Sequence, residues 1–130
     1  MKNQSGVVAT PRAAATIIVY RRAEHPEIFM VKRHAKSGFM ANAMVFPGGR
    51  VEESDHAEIW AQHISGMNTH DAETIPYAIA AVRETFEEAG VLLAKREGEP
   101  ITTKSQDGQK LFNQARAQIN RHEIDFLSLA

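Results

Sequence analysis

Pro76-Tyr77-Ala78-Ile79-Ala80-Ala81-Val82-Arg83-Glu84-Thr85-Phe86-Glu87-Glu88-Ala89-Gly90-Val91 reads as one helix with an acidic flank, and the rest of the chain is arranged around it. Proline is tolerated at a first helical position, glycine takes the left-handed position just past a last one, and the residues between are mostly good helix formers. The spacing predicts about three and a half turns. At roughly 100° per residue, Ala78, Ile79, Val82, Phe86 and Ala89 share one side, whereas Glu84, Glu87 and Glu88 gather within about 100° on the other. Like charges at these spacings destabilise a free helix by some tenths of a kcal/mol per pair. A divalent cation reverses that sign, and hard oxygen ligands on a rigid helix suit Mg²⁺ or Mn²⁺. The bland alternative is a solvated acidic face beside Arg83.

Upstream, Phe46-Pro47-Gly48-Gly49-Arg50-Val51 follows an apolar run. Two glycines after a proline predict a sharp turn with backbone groups open to close approach. Together with Arg83-Glu84-Thr85-Phe86-Glu87-Glu88-Ala89-Gly90-Val91, this segment resembles the Nudix hydrolases, whose signature is G-x5-E-x7-R-E-U-x-E-E-x-G-U with U apolar or Thr. The second half of the signature matches at every specified position. The first half departs from it: Asp55, not Glu, stands after the five-residue gap from Gly49, and 27 residues rather than seven separate Asp55 from Arg83. Residues of about 56–75 therefore read as an insertion that splits the motif. With Gly38-Phe39-Met40-Ala41-Asn42-Ala43-Met44-Val45 leading into Phe46-Pro47-Gly48-Gly49, the arrangement looks like the branch that holds the peroxisomal coenzyme A diphosphohydrolase and its bacterial relatives. Coenzyme A hydrolases of this group carry Gly four residues before the Phe of the Phe-Pro-Gly-Gly segment, where this chain has Asn42.

The resemblance runs from about residue 12 to the end. It implies an α+β fold, an α/β/α sandwich with a mixed sheet, incomplete at the C-terminal end because the later strands and closing helix are not found. The expected organisation is a flexible lead-in over residues 1–11, then the N-terminal part of a Nudix domain over 12–130 with a helical insertion. The implied activity is metal-dependent hydrolysis of the pyrophosphate bond in a nucleoside diphosphate linked to another moiety, with coenzyme A or acyl-coenzyme A as candidate. Carried over residue by residue, Glu87 and Glu88 hold Mg²⁺ or Mn²⁺, Glu84 is a further ligand or the base, and a carbonyl of Gly48 or Gly49 completes the set. Arg83 positions these acids, and Asp55 takes the place of the family Glu that holds the arginine. A non-catalytic nucleotide-binding module and an inactive fragment of such an enzyme are the competing readings; the intact Arg83, Glu84, Glu87 and Glu88 disfavour the first.

Composition limits the remaining classes. With 130 residues, 43% of them hydrophobic, the chain is long enough for one domain around one core. Fifteen basic residues against 16 acidic ones give a net charge of −1, which argues against nucleic acid and against a membrane surface. Zero cysteines exclude disulfides and thiolate metal sites. The start lacks the basic-then-apolar order of a secretion signal. A soluble cytoplasmic protein is the reading that composition leaves; the resemblance implies a nucleoside diphosphate-type small-molecule substrate, and a homodimer is one candidate state.

The other elements follow in order. Residues 13–20, with Ile17-Ile18-Val19-Tyr20, read as a buried strand. Residues 27–33 read as its hairpin partner, with Ile28, Met30 and Lys32 opposite Phe29, Val31 and Arg33. Arg33 and Lys36 border a loop placed by sequence at a substrate mouth, where they suit phosphate; solvated loop charge is the alternative. Residues 56–65, with Ile59, Trp60 and Ile64, read as an amphipathic helix capped by Asp55. His56, His63 and His70 recur every seven residues, and surface or packing roles are favoured because a zinc site needs three or four converging ligands. Val91-Leu92-Leu93-Ala94 reads as a short buried strand. Residues 110–122 read as a further helix with Leu111, Phe112, Ala115 and Ile119 on one face, and Phe126, Leu127 and Leu129 as apolar residues left exposed unless something covers them.

Overall fold

The strand segments are only two or three residues long, and in the computed structural model, which describes residues 10–35, 41–66 and 72–130, they pair as short antiparallel ribbons. The readings at Lys36, at 38–40 and at His70 lie outside the described residues. β1 (Ala14–Thr16), β2 (Val19–Arg21), β3 (Glu27–Phe29), β4 (Val31–Lys32), β5 (Met44–Val45) and β6 (Gly48–Arg50) come first in the chain. β2 pairs with β3, setting Tyr20 opposite Ile28, and the Arg21–Glu27 ion pair closes the end of that hairpin. β4 pairs with β5, and β1 pairs with β6 so that Ala15 faces Gly49 and Thr16 faces Gly48. Bonds from Ile17 N–H to the Pro47 carbonyl and from Val51 N–H to the Ala13 carbonyl extend the last pair at both ends.

Three expectations change here. The run 13–20 is not a buried strand: it is interrupted at Ile17 and Ile18, and Ile18 and Tyr20 are 59% and 60% exposed while Val19 is half-buried. Side chains alternate along a strand, so only one face turns inward. The run 27–33 is likewise two strands, its first pairing with β2 and its second with β5. Finally, Gly48-Gly49 is not a turn. The bend falls at the buried Pro47, and both glycines lie within β6.

The insertion is less helical than its pattern suggests. A 3₁₀ turn covers Glu53–His56, and α1 (Trp60–His63) is a single turn. Asp55 is no cap for it; buried within the 3₁₀ turn, its carboxylate accepts the Glu52 N–H at 2.8 Å. Trp60 is buried and donates its indole N–H to the Ser54 carbonyl at 2.9 Å, while His63 lies edge-on to the indole ring.

α2 (Ile75–Ala89) has Pro76 in its first turn and Gly90 in the left-handed region at φ 71°, where a glycine costs no steric strain. The helix lies between the β1–β6 ribbon and the C-terminal elements. Ile79, Phe86 and the half-buried Val82 meet the core, and the small, fully buried Ala80 and Thr85 let neighbouring backbone approach on the other flanks. The segment after Gly90 differs from expectation: residues 91–94 are half-buried but carry no strand. The pairing falls instead between β7 (Lys95–Arg96) and β8 (Glu99–Pro100), across Glu97 and Gly98 at φ 53° and 86°. Two positive φ values are what a two-residue hairpin turn of matching twist requires.

α3 (Gln106–Asn120) starts four residues earlier than expected because the Ser105 hydroxyl accepts the Gly108 N–H at 3.0 Å, making Gly108 part of the first turn rather than a breaker. Leu111 is exposed, not on the packed face. Phe112 meets Phe86 edge-to-face at 5.8 Å, and Ile119 is buried. Of the last apolar residues, Phe126 stacks on Trp60 at 5.8 Å and lies 6.1 Å from Phe86, Leu127 packs beside it, and Leu129 stays 37% exposed; one core of Trp60, Ile79, Phe86, Ile119 and Phe126 joins the insertion, α2, α3 and the C-terminal turn. The architecture is α+β. The described strand pairs are all antiparallel, and among the described residues no helix is long and apolar enough to cross a membrane.

Candidate active site

The site grows from one buried arginine. Arg83 is 2% exposed, and every donor of its guanidinium is engaged. Nε and Nη2 donate to the two oxygens of Asp55 at 3.0 and 3.1 Å, and Nη2 also donates to the Arg50 carbonyl at 2.7 Å. Nη1 lies 3.2 Å from carboxylate oxygens of both Glu84 and Glu87. Burial opposes the charge on Arg83, but Asp55 and Glu87 outweigh it and push the guanidinium pKa further up. Asp55 reaches the arginine despite its short side chain because the 3₁₀ turn carries it inward, to 1% exposure. A two-point pair of this kind fixes orientation as well as charge.

The three glutamates divide between two directions. Glu84 lies against Gly49: a Cβ built on that glycine falls 2.2 to 2.6 Å from the Glu84 carboxylate atoms. Glu88 accepts the Gly48 backbone N–H and feels the charge of Arg33, while Glu87 faces Arg83 and the charges of Glu52 and Asp55. Gly48 is needed twice, by its φ of 155° and because a Cβ there meets the Ala15 carbonyl at 2.2 Å. Both glycines are thus places where strand, helix and carboxylate pack without room for a side chain. Gly49→Ala should displace Glu84. We expect melting temperature to fall by only a few degrees, since the strained contact is with the far end of a flexible side chain, while any activity at this site drops at least about tenfold, as for a misplaced reacting group. Unchanged turnover in Gly49→Ala would show that the Glu84 position does not matter.

Burial raises the pKa of all three glutamates; neighbouring carboxylates add to it, Glu87 and Glu88 for Glu84, Glu87 for Glu88, and Glu52 and Asp55 for Glu87, with Arg83 offsetting part for Glu84 and Glu87. The folded protein therefore holds protons on these groups more tightly than the unfolded chain does. That contribution to stability is present below the ordinary glutamate range and is lost as pH rises through the raised values. A Glu84→Gln variant should accordingly gain melting temperature relative to the metal-free parent as pH climbs from about 4.5 to 7, the lower figure being close to an unperturbed glutamate. A parent-minus-variant difference that stays constant across that interval would contradict the origin of these shifts.

Of the residues singled out by sequence, Arg83, Glu84, Glu87, Glu88, Gly48, Gly49 and Asp55 come together; Arg33 stands within electrostatic reach of Glu88, its N–H bonded to the Ala43 carbonyl, and Lys36 lies outside the described residues. Asn42, which stands where the coenzyme A motif has glycine, adopts φ 64°. Asparagine is among the few non-glycine residues that tolerate this region, and a glycine at the position would adopt it without strain. Sequence reading missed Arg116 and Asn120, whose side chains reach the last carbonyls of α2. The available signal was an arginine set within the stripe of Phe112 and Ile119 on α3.

Among the described residues no three acidic or imidazole groups converge as a metal-holding cluster, because Glu84 and Glu87 both turn to Arg83 Nη1. The donors nonetheless have the chemistry of a Mg²⁺ or Mn²⁺ site: hard carboxylate oxygens, partly desolvated, carrying negative charge that one guanidinium shared with Asp55 does not neutralise.

A NUDIX domain model matches residues 10–129, and the chain belongs to that family. Its sequence is 32% identical over 138 aligned positions to acyl-coenzyme A diphosphatase NUDT19 of Xenopus laevis, covering 79% of this chain and 36% of that protein. It is 29% identical over 102 positions to the Gallus gallus protein of the same name, covering 57% and 27%. The crystal structure of a NUDIX hydrolase from Alicyclobacillus acidocaldarius superposes with a TM-score of 0.54 at 28% identity, covering 81% of this chain and 54% of that one. The fold is thus the Nudix fold, and the chain spans roughly a quarter to a third of the length of the curated relatives it matches.

Proposed function

We propose that this chain acts as a Nudix pyrophosphohydrolase on a nucleoside diphosphate linked to another moiety, with coenzyme A or an acyl-coenzyme A as the candidate substrate. The observation that carries the reading is the meeting of Glu84 and Glu88 with Gly49 and Gly48, on a helix whose Arg83 is locked to Asp55. The named activity of the NUDT19 relatives supports the coenzyme A assignment.

In this reading Glu84, Glu87 and Glu88, with a carbonyl of Gly48 or Gly49, would hold Mg²⁺ or Mn²⁺. When bound, such an ion offsets charge on the phosphate oxygens and makes water a better nucleophile. Arg83 keeps the glutamates oriented, through Glu84 and Glu87 directly and through its anchorage on Asp55 and the Arg50 carbonyl. Glu84 serves as a ligand or as the base that takes the proton of the attacking water. Arg33, beside Glu88, and Lys36 supply positive charge for phosphate oxygens.

Incubation with coenzyme A, acyl-coenzyme A, NADH, ADP-ribose and diadenosine polyphosphates plus Mg²⁺, read by mass spectrometry, tests the proposal. It expects cleavage at the diphosphate of the coenzyme A compounds; binding without cleavage would leave a nucleotide-binding module. Millimolar Mg²⁺ should also raise the melting temperature by relieving the carboxylate repulsion. A flat melting point from zero to millimolar metal would remove the metal site.

A further inference from the structure

The last turn of an α-helix leaves its final carbonyls without helical partners. In α2 that turn carries Glu87 and Glu88. Gly90 N–H takes the Phe86 carbonyl at 2.8 Å. The next two carbonyls are both held by one side chain from another helix: Arg116 donates from Nε to the Glu87 carbonyl at 2.8 Å and from Nη2 to the Glu88 carbonyl at 2.5 Å. Asn120, one turn further along α3, adds a bond to the Glu87 carbonyl at 3.3 Å. Arg116 is itself held in place, because Phe112, one turn before it, packs on Phe86, and Ile119 lies in the core.

We infer that Arg116, assisted by Asn120, is a positioning residue for the site, fixing the backbone from which the Glu87 and Glu88 carboxylates project. This rests on the metal-site reading above. A planar guanidinium spanning two successive carbonyls resists rotation of the last turn in a way that a single-point ammonium does not. Supporting groups outside a ligand set are worth about 10- to 100-fold in metal affinity elsewhere. Charge alone acts in the opposite direction. A cation near the site repels a second one, so if Arg116 acted only by its charge, removing it would tighten metal binding and lysine would replace it fully.

Mn²⁺ titration of the whole chain, followed by loss of the free-ion paramagnetic resonance signal, separates these roles. Arg116→Gln and Arg116→Lys should both weaken Mn²⁺ by about tenfold. Phe112→Leu, which loosens the packing that seats Arg116 but leaves its guanidinium to hold the carbonyls, should lower melting temperature and weaken Mn²⁺ by clearly less than either Arg116 variant. Parent-like affinity in Arg116→Lys, tighter binding in Arg116→Gln, or equal weakening in Phe112→Leu overturns the inference. Should Arg116→Gln not fold, Asn120→Ala is the second variant: weakening of roughly two- to threefold, the size of one modest hydrogen bond, supports the inference, and unchanged affinity overturns it. If the parent protein takes up no Mn²⁺, the metal-site reading itself fails; if the parent binds and the Arg116 variants bind equally well, only the role of Arg116 fails.

Discussion

Glu88→Gln should lower turnover by roughly two to three orders of magnitude and leave the fold intact, the scale expected when one element of charge stabilisation is removed from a water-activating site. Glu88 is the most exposed of the three helix glutamates and makes no bond to Arg83, so its loss disturbs no buried ion pair. Its amide replacement still accepts the Gly48 N–H, and its raised pKa means that the charge is held at a cost in the metal-free protein. The variant should therefore melt at or slightly above the parent without metal and lose the Mg²⁺-dependent gain. Steady-state assays at saturating Mg²⁺, with melting curves in both conditions, check this. Equal turnover by variant and parent would strip Glu88 of its role.

The largest loss of stability should come from Arg83→Met. Asp55 would keep the Glu52 N–H but lose both guanidinium bonds while remaining 1% exposed, and an uncompensated buried charge costs about 3–5 kcal/mol. Against a total of about 5–15 kcal/mol for a typical domain, that is a large fraction. The Arg50 carbonyl also loses its Nη2 donor. Pairing the change with Asp55→Leu should recover part of the deficit, because a buried pair replaced by apolar groups is often tolerated better than a broken one. Urea denaturation of the two single variants, the double variant and the parent measures the coupling. Additive effects in that cycle would mean the pair is not the unit it looks to be.

Much of the helix was legible because its signals are local. Pro76 and Gly90 mark its ends, and Arg83, Glu84, Glu87 and Glu88 carry a fixed spacing. Signals that depend on distant partners were read poorly. Gly48-Gly49 suggested a turn, yet the glycines are required by Ala15 and Glu84, residues far away in the chain. Trp60 suggested a longer helix, but it is buried against Phe126, more than sixty positions on, and one turn suffices to place it. Phe126 and Leu127 looked like residues in search of a cover for the same reason. Periodicity put Leu111 inward, where α3 is too far along its exposed end to bury it. Arg116 carried no motif at all; its meaning lies in carbonyls on another helix.

Trp60, the sole tryptophan, stands where several of these distant partners meet. Its indole nitrogen holds the carbonyl of Ser54, the residue next to Asp55, and its ring lies on Phe126 near the end of the chain. Its fluorescence is therefore a built-in reporter placed one residue from the anchor of Arg83. Detachment of the final segment would expose the indole to water and shift its emission to longer wavelength while the helical circular dichroism stays nearly constant. A red shift that precedes the loss of helix on warming would reveal an opening of the protein that begins at its last residues.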